Sequence, residues 1–189
     1  MESRREYPQE YLDYLVTFHG ERDYFECHEI MEDYWKKTAG TAETKRWLAL
    51  IQVAVSAYHE RRGNRIGARN MAEKAISNGE GEKWDELGLD GEVLIGQIKE
   101  QLRRLGESGG TEQYEEPNLP ISDLQLLDAC RNLAEQRGFM WQNTDGTVHD
   151  DIVHKHLRRD RATVVMERER SLAAKRKRRA APPNSDARE

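Results

Sequence analysis

Apolar side chains recur every three or four positions from residue 8 to residue 105, and glycines break the runs. Tyr11, Leu12, Leu15, Val16 and Phe18 follow Pro8, whose fixed φ and missing N–H suit a first helical turn, and Gly20 marks the expected end. Asp23 is placed to cap a second helix over 24–38 that stops near Gly40. Thr41 or Thr44 is placed to cap a third over 43–62, closed by Gly63-Asn64 with Arg61 and Arg62 in its last turn. A fourth helix is expected over 65–78, ending at Asn78-Gly79. The polar, glycine-containing stretch 79–91 reads as a loop, and a fifth helix over 91–105 carries Val93, Leu94, Ile98, Leu102 and Leu105. Short connections between successive helices make antiparallel neighbours. No early segment alternates as a strand does.

The third helix is apolar nearly all round: Trp47, Leu48, Leu50, Ile51, Val53, Ala54, Val55, Ala57 and Tyr58. Such a helix belongs at the centre of a bundle. Beyond Gly106 the periodicity weakens. Residues 106–120 hold Gly109-Gly110, Pro117 and Pro120 and read as a linker. Residues 123–136 read as a short helix with Leu124, Leu127, Cys130 and Leu133, and the turn signal Asn143-Thr144-Asp145-Gly146 suits a small hairpin. Residues 160–179 read as a charged helix, and Pro182-Pro183 onward as a disordered end. The expected fold is all-α: a small bundle of about five core helices over residues 1–106, followed over 107–189 by a linker, a short helix and a less regular, basic extension.

Composition narrows the class. Of 189 residues, 37% are hydrophobic and 34% charged, and mean hydropathy is -0.95. No run approaches the ~18 apolar residues of a membrane span. Met1-Glu2-Ser3-Arg4-Arg5-Glu6 lacks the apolar stretch of an export signal, so a cytoplasmic location with reduced thiols at Cys27 and Cys130 is expected. The net charge of -5 hides an asymmetry. Residues 1–152 hold 18 Lys+Arg against 30 Asp+Glu, net -12, whereas residues 153–189 hold 12 against 5, net +7. The densest basic run is Lys175-Arg176-Lys177-Arg178-Arg179. Such a run holds phosphates in some proteins and in others only complements a helix C-terminus. Nucleic acid is thus a candidate partner through the tail, a membrane is not, and self-association is compatible with the sequence.

The second helix carries the candidate chemistry. At ~100° per residue, Tyr24, Cys27, Met31, Tyr34 and Trp35 share one face, His28 falls inside that arc and Glu32 at its edge, while Glu26, Glu29 and Asp33 point to solvent. His28 and Glu32 stand one turn apart, so imidazole and carboxylate are able to touch. On the third helix Gln52 and His59 are seven apart and share a face. A hairpin about residue 41 sets His28 level with residue 54, so Gln52 and His59 would flank it. The expected site is therefore His28, Glu32 and His59 as ligands of one divalent metal ion, with Trp35 and Gln52 lining it.

These residues also carry a resemblance. Tyr24-Phe25-Glu26-Cys27-His28-Glu29-Ile30-Met31-Glu32-Asp33-Tyr34-Trp35, then Leu50-Ile51-Gln52-Val53-Ala54, Ala57-Tyr58-His59, Arg62-Gly63-Asn64 and Gly67-Ala68, resemble the domain of unknown function 309 family. Its signature is a His, a Glu four later and an aromatic three beyond, matched by His28, Glu32 and Trp35. The core of the match spans about residues 8–78, and the later segments are similar to longer bacterial members. The resemblance implies a small all-α bundle, no established activity, and a motif suggested to bind metal.

Several readings stand beside one another. The His28–Glu32 pair is a structural hydrogen-bonded pair, a metal site with open positions, or a metal-free acid–base or ligand site. The chain is then either an enzyme-like or metal-binding bundle, with catalytic residues unassigned, or a non-enzymatic interaction module whose basic tail contacts nucleic acid or an acidic partner. His28-Glu29-Ile30-Met31-Glu32 has Glu where a zinc protease has its second His, and the third helix offers no inward carboxylate for a di-iron centre. Arg61, Arg62, Arg65 and Arg69 surround a helix junction, where they hold phosphate or compensate helix-end charge. His149, Asp150, Asp151, His154 and His156 form a polar cluster of metal-compatible types, more ordinary as a solvated loop. Cys27, on the apolar face, reads as packing.

Overall fold

The computed structural model describes residues 5–106, 114–143, 148 and 150–154. Its elements are α1 (Gln9–Val16), a π-helical turn (Thr17–Glu21), α2 (Tyr24–Lys37), α3 (Thr44–Arg61), α4 (Arg65–Gly79), a 3-10 turn (Trp84–Leu87), α5 (Gly91–Gly106), α6 (Leu124–Gln136) and the short α7 (Asp150–Val153). The fold is all-α. Among the described residues β pairing is confined to one isolated bridge, Leu89–Ile121. The expected hairpin falls partly on residues 144–147, which lie outside the described residues. The expected charged helix and disordered end lie wholly outside them. Contacts divide the chain into Met1–His154 and Lys155–Glu189.

Helix α3 is the core. Its Trp47, Ala49, Leu50, Ile51, Ala54, Ala57 and Tyr58 are buried. Helix α2 covers one side, with Tyr34 edge-on to Trp47 at 5.4 Å and Phe25 6.3 Å from Tyr58. Helix α4 covers another. Its Ala68, Ala72 and Ala75 are buried, and those small side chains let the two backbones come close enough for Ser56 Oγ to donate to Ala68 O at 2.9 Å. Helix α1 reaches α3 through the Tyr14 hydroxyl, which donates to Leu50 O at 2.8 Å, and α6 packs on α1.

Caps explain most boundaries. Asp23 accepts from Glu26 N, Asn64 from Gly67 N, and Asp123 from Gln125 N and Leu126 N. The start of α3 differs from expectation. Thr41 and Thr44 do not cap it; Glu43 precedes the helix without a side-chain cap bond. Thr44 Oγ1 instead accepts from Gly40 N and donates to Thr38 O, tying the α2–α3 turn together.

Two stretches expected to be plain connections are structural. Within 79–91, Trp84, Leu87 and Leu89 are buried, and Trp84 Nε1 donates to Gly79 O at 2.8 Å. Segment 114–123 is anchored rather than loose. Asp90 N donates to Pro120 O, and Ser122 N to Gly88 O. Its main anchors are His19 and Arg22, both fully buried. The helix does not stop at Gly20; that residue sits inside the π-turn, where an added Cβ would stand 2.9 Å from Phe139 Cβ. Arg22 takes the left-handed conformation at φ 60, which costs a non-glycine residue ~1–2 kcal/mol. Its guanidinium offsets that cost by donating to Phe18 O, Pro117 O, Asn118 Oδ1 and Asn143 O.

His19 sits between two backbone groups that settle its tautomer. Leu15 O only accepts, so Nδ1 carries the proton (2.8 Å); Leu119 N–H only donates, so Nε2 is bare (2.9 Å). The ring also stacks on Trp141 with centroids 4.6 Å apart. Burial, reinforced by Arg22, lowers its pKa to about 4. The unfolded chain therefore binds more protons than the folded one between pH ~6.5 and ~4, so the stability is complete above that window and lost as pH falls through it. Urea melts at pH 7 and pH 5 are expected to show wild type losing about 2 kcal/mol more than His19→Gln. Equal losses in both would show that His19 is not the titrating group.

Candidate metal centre

The candidate centre is built on α2. Tyr24, Cys27 and Met31 form its buried stripe, and burial pushes the Cys27 thiol well above the ordinary range, as suits a packing cysteine. His28 lies on the flank of that stripe rather than within it, with 29% of its side chain exposed. Its Nδ1 is 3.2 Å from Glu29 Oε1, and its Nε2 is 3.9 Å from Glu32 Oε2. Glu32 also pairs with Lys36 at 3.4 Å, one turn on. One ligand atom from each of His28, Glu29 and Glu32 lies within 4.8 Å of the others, and all three residues are half-buried.

Glu29 corrects the expectation that it points away. A helical wheel places Cβ atoms. The glutamate's rotatable bonds carry its carboxylate sideways to the imidazole, and partial exposure of both groups leaves room for it.

The residues expected from α3 are not brought to this group. The axial level is as expected, because Phe25 against Tyr58 and Tyr34 against Trp47 set residue 28 level with residues 54–55. The rotation differs. Gln52 and His59 face α4. Gln52 Oε1 accepts from Asn78 Nδ2 at 3.0 Å, and His59 Nδ1 lies 3.1 Å from Asn64 Nδ2. An added Cβ at Gly67 of α4 would meet the His59 ring at 2.9 Å, and burial, with Arg62 next, lowers the His59 pKa. Trp35 packs against the core as a partly buried residue, its indole N–H buried without a hydrogen-bond partner.

The basic residues divide similarly. Arg61 is turned inward: its side chain is 6% exposed, Nη1 donates to Arg22 O at 2.7 Å and lies 3.5 Å from Glu116, and the guanidinium covers the Tyr24 ring. Arg62 lies over Tyr58. Lys175, Arg176, Lys177, Arg178 and Arg179 lie outside the described residues, as do His149 and His156. His19, Arg22 and Glu116 were not anticipated. For His19 a signal existed, a lone imidazole inside the apolar run from Leu15 to Gly20.

Residues 11–71 match the family described as "Domain of unknown function (DUF309)". The chain is also 37% identical over 174 residues to the uncharacterized protein YpuF of Bacillus subtilis (strain 168), covering 90% of this chain and 98% of that one. The chain belongs to the DUF309 family. The DUF309 match runs from α1 into α4 and contains His28, Glu32, Trp35, Gln52 and His59. The similarity to YpuF extends well beyond that region.

Half-exposed ion pairs contribute little to stability, typically ~0–1 kcal/mol. Glu29→Ala and Glu32→Ala are therefore each expected to cost less than ~1 kcal/mol in chelator-treated protein. Thermal melts check this. A loss several times larger for Glu32→Ala alone would mean that this carboxylate supports the fold.

Proposed function

We propose that this DUF309 protein binds one divalent metal ion through His28, Glu29 and Glu32. The observation that supports the reading is the grouping of one nitrogen and two carboxylate oxygens within 4.8 Å on one flank of α2. Bonds of ~2.0–2.2 Å place tetrahedral ligand atoms ~3.4 Å apart, so small rotations of part-exposed side chains close the set. Glu29 takes the third position first assigned to His59.

One imidazole and two carboxylates form a mixed donor set, the imidazole suiting Zn2+ and the carboxylates suiting Zn2+ or the harder Mn2+. Three protein ligands leave positions open, the pattern of reactive rather than structural sites. A bound ion would supply Lewis acidity and an activated water. The residues' part is to hold the ion at the bundle surface, the imidazole deprotonated and both carboxylates ionised, so binding weakens on acidification. Lys36, already on Glu32, tempers the negative charge.

Three side chains on one helix must be ordered on binding, so an affinity near micromolar, ~8 kcal/mol, is expected. Calorimetric titration of chelator-treated protein with Zn2+ and Mn2+ measures it. His28→Ala, Glu29→Gln and Glu32→Gln are each expected to weaken binding by ~tenfold or more, and His59→Ala to leave it unchanged. Unaltered affinity in His28→Ala, or loss in His59→Ala, would overturn the assignment.

A further inference from the structure

Lys36 stands in the last turn of α2, one turn beyond Glu32. Two local causes place its ammonium on that carboxylate. A glutamate four residues before a lysine is the favourable order for an ion pair on a helix. The last turn also attracts cations, because its free carbonyls carry partial negative charge. Taken alone, the pair is an ordinary surface contact, with side-chain exposures of 56% for Lys36 and 36% for Glu32.

What sets the pair apart is the atom it uses. Glu32 Oε2 lies 3.9 Å from His28 Nε2 and 3.4 Å from Lys36 Nζ. The oxygen nearest the imidazole is thus the one that the ammonium holds. A divalent ion on His28 and Glu32 has to draw on a carboxylate already engaged by a positive charge, and the two cations repel. Across a few ångströms at a protein surface, in ordinary salt, such repulsion is worth roughly three- to tenfold in affinity.

The cost does not fall on all ions alike. The ammonium competes for a carboxylate and leaves the imidazole untouched. Zn2+ gains much of its affinity from an imidazole nitrogen. Mn2+ stands lower in the affinity order, is suited to carboxylate oxygen and gains less from nitrogen. An ion that depends mainly on Glu29 and Glu32 therefore loses more to Lys36 than one anchored on His28.

We infer that Lys36 is a specificity-determining residue of the α2 site, its ammonium competing with the metal for Glu32 and so favouring Zn2+ over Mn2+. Lys36 takes this role only if His28, Glu29 and Glu32 hold the ion as proposed above.

Calorimetric titration of the chelator-treated full chain with ZnCl2 and with MnCl2 tests it, comparing wild type with Lys36→Met, Lys36→Arg and Lys37→Met. Lys36→Met is expected to tighten Mn2+ binding by roughly tenfold and Zn2+ binding by roughly threefold, which narrows the preference for Zn2+. Lys36→Arg keeps the cation and is expected to behave as wild type. Lys37→Met removes the same charge one residue along the helix and is expected to change either affinity by less than ~twofold. Equal tightening of both ions in Lys36→Met, a gain as large in Lys37→Met, or no change in Lys36→Met while both ions bind would each overturn this role and leave the metal site standing. Absence of binding by either ion in wild type and Lys36→Met alike would overturn the metal site itself, and this role with it.

Discussion

Helix α3 carries apolar residues around nearly its whole circumference, and water cannot cover any large part of it without cost. Burial returns roughly 25 cal/mol per Å² of apolar surface, so every side of α3 recruits a neighbour. Helix α2 takes the Trp47–Tyr58 side, α4 the Ser56 side, and α1 reaches Leu50 with a tyrosine hydroxyl. This demand decides where polar groups end up. Gln52 and His59 are carried into the α4 interface and find partners there, while α2 turns its Tyr24–Cys27–Met31 stripe inward and leaves His28 on its flank. A metal-competent group at the surface, and not in the core, follows from that rotation.

The bundle also depends on how it closes at one end. Where α1 runs into α2, the chain buries an imidazole and a guanidinium together, which is affordable only because each polar atom that matters meets a backbone or amide partner. These bonds hold segment 114–123 against the helices. They also make residues 115–119 of that segment one wall of a cavity beside α3 and α5.

Much of this was legible from residue order. Long helices with a cap residue at one end and glycine at the other were placed to within one or two residues, because periodicity and capping act locally: Asp23 and Asn64 cap where their spacing says they should. The nearness of His28 to Glu32 was legible for the same reason, but at 3.9 Å the two are not hydrogen-bonded, and Glu29 is the nearer carboxylate. The axial level of His28 against α3 was legible too, since hairpin geometry sets it. Rotation of α3 was not, because an all-round apolar helix gives no stripe from which to read which side faces which partner. Glu29 was misjudged because the wheel ignores side-chain reach. Trp84, Leu119 and Arg22 went unseen since single anchors in irregular chain carry no period; they are recognisable only by what they touch.

The central claim is that the α2 flank, and not a cluster shared with α3, holds the metal. Anomalous diffraction from crystals of the protein equilibrated with Zn2+ tests it most directly. The account predicts a peak bonded to His28, Glu29 and Glu32, with His59 still on Asn64. A metal peak bonded to His28 and His59 together, or none near His28 while the ion binds elsewhere on the chain, would contradict it.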